Sequence, residues 1–161
     1  MQSRLDIQHV PPGIMKTMLG FSSYLAGSGL PRRLLDLICL RASQINGCAY
    51  CIDMHTKDLR AEGETEQRLY MLDAWRESPF YSDRERAALD WTEAVTRVTD
   101  GHVPDNVYEH ARSHFSQDEL ANLTLGVVAI NSWNRLNIAF RTVPGSYQPR
   151  AAEKVAVGAR K

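Results

Sequence analysis

The chain has only three cysteines, Cys39, Cys48 and Cys51, an odd number that rules out a fully paired disulfide framework. It also lacks any excess of charge. Lysine plus arginine and aspartate plus glutamate stand at 19 each, and neither sign runs in a block. That removes the electrostatic footprint with which a chain binds nucleic acid or an anionic membrane, and neither partner is expected. No apolar run approaches the roughly 20 residues needed to span a bilayer. The opening stretch, MQSRLDIQHVPPG, contains no apolar h-region of a secretory signal, so a cytoplasmic location is expected. Alternating apolar–polar strands, internal repeats and low-complexity tracts are absent. Nucleotide, flavin and haem motifs are missing too, and no bound organic cofactor is expected.

What remains is 161 residues with helical periodicity almost throughout, one domain's worth of chain, long enough to bury a core without disulfides. PPGIMKTMLGFSSYLAGSG reads as a helix with proline at its start and glycine at its end. PRRLLDLICLRASQIN is a second, apolar around most of its circumference and so buried. Asn46-Gly47 stops it, and a third helix starts at or beside Cys48 and runs to Gly63. ETEQRLYMLDAWRES is a short helix. Capping boxes at Ser82/Glu85 and Ser116/Glu119 start two more, and Pro104 opens another. The stretch ELANLTLGVVAINSWNRLNIAF is long and apolar enough to lie at the centre. The fold class is all-α, with residues 1–145 forming one domain. Residues 146–161 form a polar tail that frays or drapes over a partner subunit.

The chemistry concentrates in NGCAYCIDMH, residues 46–55. On a wheel of about 100° per residue, with Cys48 at zero, Cys51 falls near 300°, His55 near 340° and Leu59 near 20°. Both thiols and the imidazole share one face with Ile52 and Leu59, while Asp53 and Lys57 take the opposite, solvated side. Burial raises a thiol pKa, whereas the free N–H groups and dipole of a first helical turn lower it. His55, four residues after Cys51, can accept the thiol proton. Three readings stay open. The pair is an activated dithiol, two ligands of a zinc site completed by His55, or small core residues. Structural zinc wants four ligands, usually from a second close-spaced pair, and none is present.

Asp36 interrupts the apolar second helix, where an unpartnered carboxylate would be costly. It either pairs with Arg32, Arg33 or another arginine, or orients His55 and tunes it. His110 and His114 share a helix face at i, i+4, but Ala111 stands where a zincin would have its glutamate, so they read as exposed. His9 and His102 lie in loops. Asn131, Trp133, Asn134 and Arg135 sit in an apolar helix and must find partners, bracing the turn above the cysteine helix or a subunit contact. Arg135 is a candidate partner for a buried acid. Trp75, Trp91, Met15, Met18, Met54 and Met71 read as core.

LLDLICLRASQINGCAYCIDMH closely resembles the signature of the carboxymuconolactone decarboxylase-like superfamily, in its AhpD-like alkylhydroperoxidase branch. RERAALDWTEAVT and VPDNVYEHARSHFSQDELANLTLGVVAINSWNRLNIA resemble it too, so the likeness spans residues 15–143. It implies an all-helical fold that assembles into trimers or hexamers and reduces hydroperoxides with thiols. The oxidised pair would be restored by an external dithiol donor. True lactone decarboxylases of the superfamily usually lack the cysteine pair. By the resemblance Cys51 is the attacking cysteine, Cys48 its resolving partner and His55 the histidine of the proton relay. The relay's usual glutamate is replaced by Asp36, whose arm is one methylene shorter and reaches His55 directly or through a water. Tyr50 stands where some of these peroxidases carry a histidine, so slower or different peroxide chemistry is expected.

Overall fold

A computed structural model describes residues 2–149; the remainder of the tail, 150–161, lies outside the described residues. Every regular element among the described residues is helical. A single 3₁₀ turn, Ile7–His9, precedes α1, Pro12–Ala26, and α2 follows at Arg32–Asn46. α3 spans Ala49–Ala61, and α4, Glu66–Met71, continues into a 3₁₀ turn at Leu72–Ala74. α5 is Asp83–Thr96, α6 Asp105–His114 and α7 Gln117–Phe140. Both expected capping boxes form: Ser82 and Ser116 each accept from the backbone N–H three residues on, and Glu85 and Glu119 reach back. Those local signals locate the starts of α5 and α7 because each satisfies orphan amide donors within four residues.

α2 is the hub, packed against α3, α5 and α7. Its Ile38 meets Ala88, Leu123 and Val127, while Leu37 and Leu40 meet Leu59, Leu72 and Leu89 on the other side. Ala42, Cys48, Cys51 and Ile130 make a third cluster where α2, α3 and α7 converge. Gly126 permits the close approach of α7 to α2, since a Cβ there would lie 3.3 Å from side-chain atoms of Ile38 and Leu35.

α2 is not apolar all round. Arg41 is buried in it and is held by Glu93, which also accepts from Trp75 Nε1 and Arg76. The two tryptophans expected in the core are there: Trp75 is 4% exposed and Trp91 8%.

The join between α2 and α3 positions the cysteines. Gly47 caps α2 in the left-handed region, φ 69°, and Cys48 is the N-cap of α3 in extended backbone. A Cβ at Gly47 would meet nothing within 4 Å, so only the backbone conformation is at stake there. Gly47→Ala is expected to cost about 1 kcal/mol. Urea unfolding checks this, the midpoint falling while the slope stays unchanged.

Candidate functional site

The first turn of α3 delivers both thiols to the buried side, as the wheel predicts: Cys48 is 1% and Cys51 0% exposed. Their Sγ atoms lie 2.8 Å apart, hydrogen-bonded, with no covalent bond between them. One helical turn on, His55 is buried, and its Nδ1–H donates to Asp36 Oδ1 at 3.1 Å. The shorter aspartate arm therefore reaches the imidazole directly. Asp36 also lies 3.6 Å, through Oδ2, from Arg32 Nε, so it contacts an arginine as well as the imidazole. Arg33 turns instead to Glu64. The other ring nitrogen, His55 Nε2, is buried without a hydrogen-bond partner among the described residues.

Cys51 and His55 line an apolar cavity of about 330 Å³ between α1, α2, α3 and α7. Cys48 does not line it. Met15 and Met54, expected as gap-fillers, form part of its wall, as do Trp133 and Tyr50. Cys39 also faces it, and burial, then the charge of Asp36, pushes its thiol up. Cys39 thus stays protonated in a site that already holds a more acidic pair.

The two close thiols ionise as a unit. The hydrogen bond from Cys51 brings the Cys48 thiol down to about 7, against the opposing effect of burial; backbone amides of Cys51 and Tyr50 and the Asn134 side chain assist. Cys51 is pushed up, first by its hydrogen bond to Cys48 and then by burial. Two thiolates at this separation would repel strongly, so a single negative charge rests mainly on Cys48, nearest the free amides of the helix start.

α7 supplies groups that the motif does not contain. Asn137 Nδ2 donates to Cys51 Sγ at 3.4 Å and to the Trp133 carbonyl at 3.0 Å. That carbonyl can only accept, which fixes the amide orientation and leaves Asn137 Oδ1 buried and without a hydrogen-bond partner among the described residues. Asn134 donates to Ser43 Oγ, and Asn46 donates to both Asn131 and Asn134, so the asparagines brace the α2–α3 turn as expected. Asn134 and Asn137 stand three apart, on one face of an apolar helix, and that spacing was the available signal for Asn137.

Two expectations change. Arg135 serves no buried acid among the described residues; it is exposed and donates to Asn131 of its own helix. Asp53 and Lys57 are not an open solvated face. They pair with one another and hold the chain at 145–147, where Lys57 donates to the carbonyls of Gly145 and Tyr147, and Asp53 accepts from the Gly145 N–H. The described start of the tail thus lies on α3 of its own chain. For metal, Cys48, Cys51 and His55 do not converge as a ligand set. The convergent donor group among the described residues is Asp36, His55 and Asp58, which includes neither thiol. His110 and His114 stack edge to face, and no third metal donor joins them among the described residues. Among the described residues no helix is long and apolar enough to cross a membrane.

Comparison with known proteins places this geometry among relatives. The uncharacterized protein YdfG of Bacillus subtilis is 45% identical over 139 residues, covering 86% of this chain and 95% of its own length. A crystal structure from Agrobacterium tumefaciens, described as a putative antioxidant defence protein AhpD, superposes with a TM-score of 0.87 at 40% identity, covering 91% of this chain and 100% of that one. A shorter stretch of 43 residues, 27% of this chain and 24% of its counterpart, is 42% identical to the alkyl hydroperoxide reductase AhpD of Methylocella silvestris. The model of the Carboxymuconolactone decarboxylase family matches residues 12–94, a segment that contains Asp36, Cys48, Cys51 and His55. With an all-helical fold shared along its length and the family's segment running from α1 into α5, the chain belongs to the carboxymuconolactone decarboxylase family, in its AhpD-like branch.

Proposed function

We propose that this protein is a thiol-dependent peroxidase that reduces organic hydroperoxides with the Cys48–Cys51 dithiol. The observation that carries the reading is a hydrogen-bonded thiol pair, one sulfur of which opens on an apolar cavity beside an aspartate-bound histidine. The pair gives its first proton to His55, whose imidazolium is held by Asp36. The hydroperoxide enters with its organic group against the apolar wall. Cys51, the cavity-facing sulfur, attacks the terminal oxygen while the proton it shares stays with Cys48. The O–O bond breaks, and the alkoxide takes a proton from His55 and leaves as alcohol. Cys51 is then a sulfenic acid and Cys48 a thiol. Attack of Cys48 on that sulfur forms the Cys48–Cys51 disulfide and releases water. An external dithiol returns both thiols and is itself oxidised to a disulfide.

Asn137 supports this assignment by donating to Cys51, the sulfur that must carry charge as it attacks. Tyr50 lines the cavity, and burial, then the neighbouring Cys51 and Asp53, pushes its phenol up. It supplies no base, in keeping with a slower relay. The branch assignment and the exposed Leu19, Val128 and Ile138 on α1 and α7 support assembly with further copies, as trimer or hexamer.

The test is a thiol count on reduced protein before and after one equivalent of cumene hydroperoxide. Loss of two of the three thiols, reversed by a dithiol such as dihydrolipoamide, is the expected result. Retention of all three would sink the reading.

A further inference from the structure

The Asp36–His55 pair is not the whole of the polar cluster on that side of α3. Asp58, one turn past His55, is 6% exposed, a buried acid with no place in the reaction described above. Its carboxylate, that of Asp36 and a ring nitrogen of His55 all lie within 4.8 Å of one another. Asp58 Oδ1 accepts a hydrogen bond from Tyr147 Oη at 2.8 Å, and the chain around Tyr147 is tied down by Lys57 and Asp53 as described. Gly145, where the chain turns onto the helix, has φ 107°, which a glycine adopts without strain.

We propose that Asp58, held by the Tyr147 hydroxyl, is a second positioning acid for His55, so that docking of segment 145–147 on α3 sets the readiness of the thiol pair. The proposal rests on the reading of His55 as the group that takes the pair's proton. An imidazolium beside two carboxylates is stabilised more than beside one, and a stabilised imidazolium stabilises the thiolate. Asp58 can act so only while charged. Burial pushes its carboxyl up, the Tyr147 hydroxyl opposes this, and the charge of Asp36 adds to the rise. The Tyr147 phenol is itself pushed up by burial, so it remains a donor.

The other charged groups at the cluster do not replace this arrangement. From α2 come Asp36 and Arg32. Arg32 is largely exposed and shared with Glu62, which follows α3, at 2.8 Å. Cys39, also of α2, is held protonated. α3 itself contributes Cys51, and the cavity-facing side chains of α7 and α1, Trp133, Asn137, Met15 and Ser22, carry no charge.

The experiment measures the pH dependence of alkylation of the reduced protein by iodoacetamide, which needs no peroxide. Circular dichroism confirms folding, and Cys39→Ala serves as the background. Asp58→Asn is expected to move the alkylation midpoint upward by about half a unit to one unit, a roughly three- to tenfold slower reaction near neutrality. Tyr147→Phe moves it the same way by less, and adds nothing when combined with Asp58→Asn. An unmoved midpoint in folded Asp58→Asn overturns the proposal. A shift there that Tyr147→Phe does not share, or an additive double variant, overturns the part assigned to Tyr147. Because thiol reactivity is read directly, these outcomes are separate from failure of the peroxidase reading, which would show as shifted alkylation without peroxide turnover.

Discussion

Cys51→Ser is expected to abolish disulfide formation by hydroperoxide and to lower turnover by about a thousandfold or more, since the attacking atom is gone. Cys48→Ser should behave differently. The first attack still occurs, but the sulfenic acid has no resolving thiol in the motif and accumulates. Labelling with dimedone after one equivalent of hydroperoxide, followed by mass spectrometry of the α3 peptide, separates the two variants. Acidity and access oppose one another at this pair. Acidity favours Cys48, brought down to about 7 beside the first amides of α3, while Cys51 is pushed up. Access favours Cys51, which lines the cavity, whereas Cys48 is 1% exposed and does not. Access decides, because a sulfur that cannot meet the peroxide oxygen cannot attack it, whereas a proton shared over 2.8 Å moves readily between the two sulfurs. A dimedone adduct on Cys48 in the Cys51→Ser protein, with none on Cys51 in Cys48→Ser, would reverse the assignment.

Glu93→Ala is expected to produce the largest loss of stability, about 3–5 kcal/mol, because it strips a buried cation of its partner. Glu93 Oε1 accepts from Arg41 Nε and from Trp75 Nε1, both at 2.8 Å, and Oε2 accepts from Arg76 Nη1 at 2.6 Å. Arg41 is 5% exposed; its remaining acid, Asp73, is largely exposed, so the guanidinium and the indole N–H would be left short of acceptors. Burial raises the Glu93 carboxyl, but the bonds from Trp75, Arg76 and Arg41 outweigh it and hold the group below its ordinary value of 4.5. A carboxyl lowered by folding contributes stability that is present above its unfolded value and lost as pH falls through the folded one. The destabilisation should therefore be full at neutral pH and shrink under acid. Urea unfolding at pH 7 and at pH 4 checks both points. A loss below about 1 kcal/mol at pH 7 would show the network to be dispensable.

The helices were legible because their signals are local. Ser82 with Glu85, Ser116 with Glu119 and the Gly47 stop each act within a few residues, and the apolar spacing of α2, α3 and α7 names the faces that pack. The short 3₁₀ turns were not legible. They are single turns with no periodicity of their own, and in Leu72–Ala74 packing of Leu72 into the core tightens the end of α4. The buried Arg41 was likewise hidden, since its acid comes from a helix 52 residues away.

For the site the division is sharper. By itself the sequence determined that Cys48, Cys51 and His55 share one face of a helix start, because three and four residues make one turn. It also pointed to the family to which they belong. The tertiary structure alone decided the rest. Asp36 touches His55 directly because the tight turn at Gly47 folds α3 back along α2. The cavity exists because α1 and α7 close over α3, and their placement makes Cys51 rather than Cys48 the sulfur that meets it. Asn137 reaches Cys51 across 86 positions of chain, and Tyr147 reaches Asp58 across 89. Such meetings follow no spacing rule. They depend on how whole helices pack, and packing is fixed by the summed burial of many side chains, not by the few residues that the site brings together.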